Sequence, residues 1–416
     1  MQGQTAAPRP LRPSFVLAML LVVYTFNFID RQIFGILATP IKAELNLSDT
    51  QLGALGGFAF ALLYSTMGLP LAWLGDRKGR TPVIAASLGV WSAFTALCGM
   101  VSGFGTMFLC RLGVGVGEAG GVAPSYALIS DTFPPHQRAR ALAIYSLGIP
   151  LGSAAGILLG GYVAAAVNWR AAFLAVGLAG LAFTPLFAWF VRDPRRPSAA
   201  EAPALRTVLT ILAGKRSFWF LSFGAASCSM MGYGLAFWLP SLMRRSFGLG
   251  LVETSHFFGL LLLIGGTVGV MAGGVLADWL GRRNRAAFAF LPAVSFVIGV
   301  PLFAGGLYSG SAQAAFWWFL LPQALVYLWL GPVLTAVQHL VPAPMRGTAS
   351  ASFLLINNLI GVGLGSLTIG KLSDLLTPSF GQDALRHAIV MGLGFYLLAA
   401  VLMIAGGRHL AREWVA

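Results

Sequence analysis

The sequence predicts an all-α integral membrane protein with twelve transmembrane helices, and three observations carry that prediction. Of 416 residues, 57% are hydrophobic and only 10% are charged, and the mean hydropathy is +0.80. An ordinary soluble domain carries roughly a quarter charged residues, so folding in water would expose too much apolar surface and a bilayer is the natural solvent. Apolar runs long enough to span hydrocarbon recur along the chain, without the period-two alternation of barrel strands. The chain also repeats itself, as set out below.

The elements follow in order. Residues 1–13, with Arg9 and Arg12 among prolines, read as a cytoplasmic tail with no cleavable signal. Six apolar segments lie at roughly 14–41, 50–74, 80–101, 104–130, 138–166 and 169–191, making an N-terminal six-helix bundle over 14–191. A linker rich in Pro, Ala and Arg covers 192–215. Six more segments, at roughly 216–243, 253–277, 284–307, 313–340, 346–376 and 385–407, make a second bundle over 216–416. Cys98, Cys110 and Cys228 all fall in apolar segments, so no disulfide framework or metal cluster is expected.

The net charge of +14 resides in short loops, which makes it a topology signal and not a nucleic-acid footprint. Arg77, Lys78, Arg80, Arg138, Arg140, the linker, Arg282, Arg283, Arg285, Arg346, Arg408 and Arg412 share one side. The other side has only Lys42, Arg170, Arg244, Arg245, Lys371 and Arg386. The first side is therefore read as cytoplasmic, with both termini inside a multi-pass plasma (inner) membrane protein.

Residues 68–80 (GLPLAWLGDRKGR) and 270–282 (VMAGGVLADWLGR) are two copies of one pattern. Asp76, Gly79 and Arg80 recur as Asp278, Gly281 and Arg282, each after the second segment of its half. Two six-helix halves in parallel repeat describe a transporter that rocks about a central cavity. Glycine ladders fit close helix approach: Gly148, Gly152, Gly156 and Gly160 in the fifth segment, Gly265, Gly269 and Gly273 in the eighth. They face either across the halves or within one half.

Four ionisable residues lie inside apolar segments: Asp30 and Arg31 in the first, Arg111 and Glu118 in the fourth. A charge in hydrocarbon costs at least about 2.5–3.5 kcal/mol on insertion scales, so each should face a cavity and find a partner. Arg111 and Glu118 are seven apart, about 10 Å along one helix face, too far for a direct ion pair. Asp30 is the available anion for Arg111, giving a switchable pair. Glu118 has no obvious cation nearby in sequence, and desolvation favours a neutral carboxyl, so Glu118 is the expected proton carrier, with Asp30 the second proton-coupling candidate. Asn27, Tyr126 and Tyr145 are candidate substrate contacts beside Arg111 and Arg31.

The paired Asp-x-x-Gly-Arg loops resemble motif A of the major facilitator superfamily. The second copy fits closely, whereas the first has Ala72 where the motif has glycine. That resemblance implies a cytoplasmic gate of Asp76, Arg80, Asp278 and Arg282, and it implies contact between helices 5 and 8, giving each ladder a partner across the halves. FNFIDRQIFGIL, RLGVGVGEAGGVAPSYALISDTFP and YSLGIPLGSAAGILLGG resemble the Spinster branch in their Asp-Arg, Arg-x6-Glu-Ala and Ile-Pro-x-Gly-Ser patterns. The resemblance implies a proton-coupled transporter of a lysolipid or sphingoid-type amphiphile, monomeric and without a cofactor. A proton-coupled organic-anion symporter and a multidrug/proton antiporter are the alternatives. An enzyme is disfavoured, because no His-Glu-x-x-His, Gly-x-Ser-x-Gly, Gly-x-Gly-Asp or nucleotide-binding lysine loop is present.

Overall fold

The computed structural model describes residues 13–193, 205–342 and 345–415, and the side chains of Asp76 and Asp278 lie outside that description. Among the described residues, twelve helical columns cross the molecule. The first six are α1 (Pro13–Ile36), α2 (Asp49–Gly75), α3 (Arg80–Cys98), α4 (Phe104–Ala119, continued by Val122–Thr132), α5 (Arg140–Ala166) and α6 (Trp169–Phe190). The second six are α7 (Arg216–Phe247), α8 (Leu251–Gly281), α9 (Ala287–Leu307) and α10 (Ala312–Gln338), then α11 (Arg346–Asn357 and Gly363–Phe380) and α12 (Ala384–Gly392 and Gly394–Glu413). The expected tail falls outside the described residues, as does 194–204 of the linker; Leu205–Ala213 is a short helix.

The two halves pack alike. In the first, α1 lies on α5, α3 on α6, and α4 against both α2 and α3; in the second, α7 lies on α11, α9 on α12, and α10 against both α8 and α9. Departures from α geometry recur too. Both α2 and α8 contain a wide π-type turn, at Ala54–Phe58 and Leu262–Gly266. Both α4 and α10 break partway, at Gly120–Gly121 and at Leu328–Trp329. Such irregular backbone in a membrane helix is tolerated where it is buried in protein or lines a cavity.

The glycine ladders resolve to packing within each half, which corrects the expectation of a ladder-to-ladder contact across the halves. A Cβ on Gly152 would lie 2.4 Å from Thr25 O, and one on Gly156 2.6 Å from Ile29 O, both in α1. On α8, Cβ atoms on Gly269 and Gly273 would meet Ala324 O at 2.2 Å and Leu328 O at 2.4 Å in α10. Helices 5 and 8 do meet, but through Gly161 against Ser255 and Gly259 against Leu158.

The halves join most densely between the outer part of α2 and α11, between α5 and the start of α8, and between α1 and α7. These seams run from mid-bundle to the end remote from the chain termini, called here the far end.

Candidate functional site

Two close approaches bury the charged residues of the first half. Cβ atoms at Gly115 and Gly117 of α4 would lie 2.4 Å from Phe60 O and 2.5 Å from Trp91 N. Helix α4 is thus drawn against both α2 and α3, which leaves Glu118 0% exposed and Arg111 1% exposed. The break at Gly120–Gly121 follows directly, with Gly121 N donating to Glu118 O.

Two ion pairs cross between α1 and α4. Arg111 Nη1 lies 3.5 Å from Asp30 Oδ2, the expected pair. Asp30 is further held by Thr95 of α3, whose Oγ1 donates to Oδ1 at 2.7 Å. Arg31 Nε lies 2.7 Å from Glu118 Oε2. That contact corrects the reading of Glu118 as an acid without a cation: its partner comes from α1, 87 positions away in the chain. Among the described residues Glu118 Oε1 and Arg31 Nη2 have no hydrogen-bond partner, so the pair is joined through one edge only.

Phe60 links the two pairs. Its ring lies 4.9 Å from the Arg31 guanidinium and 5.5 Å from that of Arg111, and Tyr64 takes the next turn at 4.6 Å from Arg31. Guanidinium over an aromatic face is favourable when desolvated. Sequence reading missed Phe60, because an aromatic residue in an apolar helix carries no local mark of a role.

Arg31 and Arg111 both reach the wall of a narrow cavity of about 50 Å³ between the halves. Phe28, Phe60, Tyr233, Phe237 and Val362 form its apolar lining. Its two charges therefore come from the first half, with Gln32 and Ser366 as further polar lining of a mainly apolar wall, as in a site that orients a largely apolar ligand. The tyrosines sit beside Tyr24: Tyr145 stacks on it at 4.3 Å and is fully buried, while Tyr126 packs edge-on to Tyr145 and is exposed. Asn27 is 1% exposed, and neither of its amide atoms has a hydrogen-bond partner among the described residues.

The expected gate residues lie at the near end. Arg80 pairs with Asp131, and its backbone N–H, with that of Thr81, is capped by Asp193 at 2.8 and 2.9 Å. Arg282 is exposed.

A second charge cluster, unmarked in the sequence, closes the far end. Asp49, at the start of α2, accepts two 2.8 Å bonds from Arg245 of α7, one from Ser373 of α11 at 2.8 Å, and one from Lys42. Asp374 of α11 in turn accepts from Asp49 N at 3.0 Å and Thr50 N at 2.7 Å, capping α2 from the other half. In sequence Asp49 resembles any acid opening a helix, and its partners in the other half lie 196 to 325 positions away.

A family model described as Major Facilitator Superfamily matches residues 20–366. An MFS-type efflux pump of Mycolicibacterium smegmatis is 32% identical over 399 residues, covering 95% of this chain and 91% of that one. The sphingosine-1-phosphate transporter of Danio rerio is 25% identical, covering 92% of this chain and 81% of its own length. The crystal structure of a bacterial homolog of the human lysosomal transporter Spinster, in an inward-facing and unoccupied conformation, superposes with a TM-score of 0.90. It is 27% identical and covers 98% of this chain and 99% of its own.

Proposed function

Because the chain belongs to the Major Facilitator Superfamily and is a transporter of the Spinster type, we propose that it moves an amphiphile with an anionic head, of lysolipid or sphingoid type, coupled to protons by alternating access. The observation that carries this reading is the Arg31–Glu118 pair, with the cation on the cavity wall and the acid sealed behind it. An anionic headgroup entering the cavity competes for Arg31. As Arg31 turns to it, Glu118 loses its counter-ion in a site without water and takes up a proton. Headgroup and proton then bind with positive coupling, each favouring the other by the same factor. Asp30–Arg111 is the second, switchable pair. Asn27, Tyr126 and Tyr145 lie off the present cavity wall and would meet cargo in another state of the cycle, and the apolar wall receives the hydrocarbon tail.

Residues 14–191 and 216–416 are the two moving bodies, joined by 192–215. The Lys and Arg distribution supports cytoplasmic termini, and the reading takes the chain as a monomer in the plasma membrane. The Asp49 cluster is then the outer latch, and the cavity faces inward. Asp76, Arg80, Asp278 and Arg282 form the inner gate.

A second reading has the opposite sign. A cationic cargo, as for an exporter like the mycobacterial relative, takes the Glu118 carboxylate itself and drives off a proton. Proton movement in proteoliposomes separates the two. Lysophospholipid should raise proton uptake, and Glu118→Gln should abolish it. Proton release on adding a lipophilic cation, with no response to lysolipid, would reverse the assignment.

A further inference from the structure

The wide turn in α2 has one feature that neither ion pairing nor packing explains. At Ala54–Phe58 the Ala59 N–H donates to Ala54 O, five residues back. In an α-helix that N–H would bond Leu55 O, four residues back. The wide turn thus withdraws the donor that Leu55 O would otherwise have. Arg111 Nε, from α4, points at this carbonyl from 3.4 Å.

On its other side the same turn is gripped by the second half. Ser366 Oγ of α11 donates to Gly53 O at 2.8 Å, and Trp238 Nε1 of α7 donates to Ser366 O at 2.8 Å. The fit leaves no room for a methyl group. A Cβ on Gly53 would lie 2.4 Å from Ser366 O, and one on Gly57 2.4 Å from Val362 O. One turn of α2 therefore touches the buried Asp30–Arg111 pair on one face and the seam between the halves on the other.

Wide turns within α-helices frequently mark functional sites. Coupling between distant sites also requires an element with two discrete arrangements, and a π-type turn that can revert to α geometry is one. Reversion would return the Ala59 N–H to Leu55 O. With about 100° of rotation per residue, it would also swing Gly53 away from its present partner.

We propose that the wide turn at residues 54–58 is the element through which Arg111 sets whether the far seam is closed. With Arg111 on Asp30 and Leu55 O, the turn stays wide, and Gly53 and Gly57 seat against Ser366 and Val362. When Arg111 withdraws, Leu55 O recovers the Ala59 amide, the turn tightens, and the seam parts. Ser366 also lines the cavity, and its part here is a positioning one, exerted through α2.

The test uses the full-length protein in nanodiscs, with Cys98, Cys110 and Cys228 replaced by alanine and spin labels at Ala43→Cys and Ser379→Cys, both exposed at the far end. Arg111→Lys retains a charge for Asp30 but loses the Nε donor, and Ser366→Ala removes the seam bond. Each should raise the population of the longer label distance at least threefold and speed amide exchange across 54–60. The double variant should do no more than the larger single change. Unchanged distances in Arg111→Lys, or a double variant whose shift is the product of the two singles, would overturn the proposal. Should Arg111→Lys not fold, exchange in Ser366→Ala decides alone: faster at 54–60 supports the link, unchanged refutes it. Neither readout uses cargo or a proton gradient, so a failure here is distinct from a failure of the transport reading.

Discussion

The two halves build the same bundle with different chemistry at matching places. Counting back from the break in each helix, Arg111 and Glu118 of α4 correspond to Phe319 and Val326 of α10. The α1 residues Asp30 and Arg31 correspond to Tyr233 and Gly234 of α7. Phe319 is fully buried and packs against Phe303, and Val326 is 5% exposed. At the four matching places α7 and α10 thus carry Tyr233, Gly234, Phe319 and Val326, where α1 and α4 carry charges. The fold has no need of the charges. Their presence at these places in one half only, at the insertion cost that membrane charges carry, is the asymmetry on which the proposed coupling rests.

The strongest way to break this comparison is to unpair a charge. Arg111→Ala should leave Asp30 buried with only Thr95, which costs about 3–5 kcal/mol, and should abolish both substrate binding and transport. Replacing the pair together, Asp30→Leu with Arg111→Met, should recover most of the thermal stability, because two apolar groups of similar size can stand in for a buried ion pair. It should remain inactive. A double variant no more stable than Arg111→Ala would mean that the charges hold the first half together after all. Substrate affinity unchanged in Arg111→Ala would remove its binding role.

Next in size is Glu118→Gln. The amide keeps the shape and can still accept from Arg31, so melting temperature should change little. Proton-coupled flux should fall at least a hundredfold, while cargo exchange without a gradient persists. A variant with wild-type coupling would exclude Glu118 as the carrier.

A smaller effect is expected at the far end. Asp49→Asn weakens the bonds to Lys42 and Arg245 without removing bulk. It should shift the population about tenfold towards the far-end-open state, seen as faster labelling of cysteines introduced along the seam. Equal labelling in variant and parent would count against a latch.

How much of this was legible in the sequence depended on distance along the chain. Twelve spans follow from hydropathy, and the Asp30–Arg111 pair follows from two opposite charges with few alternatives. Arg31 and Glu118 are just as close in space, yet two cations and two acids allow more than one pairing. Only the docking of α4 through Gly115 and Gly117 decides it. Ladder spacing likewise reports that something approaches closely, but not what: Gly152 meets α1 and Gly269 meets α10, each inside its own half. The Asp49 cluster was invisible because a helix-opening acid is ordinary until Arg245, Ser373 and Asp374 arrive from the other half. The wide turn at 54–58 was invisible for another reason. It is a backbone choice whose donor, Arg111, sits on a different helix.

The smallest effect concerns the one place where the two loop motifs disagree. Ala72 of the first copy corresponds to Gly274 of the second. A Cβ on Gly274 would meet nothing within 4 Å, so this arrangement places no steric demand for glycine there. Alanine is favoured over glycine within a helix by roughly 1 kcal/mol, so Gly274→Ala should leave the melting temperature level or slightly raised. Transport is the sharper measurement. If the inner gate closes by bringing another helix onto this face, a methyl group that is harmless here becomes a contact in the other state. The first half already carries that methyl at Ala72, so the repeat argues for tolerance, and Gly274→Ala should retain transport within a factor of two. A steep loss of rate without loss of stability would show that the two copies meet different surfaces on closing, with the second copy packed tightly against its partner.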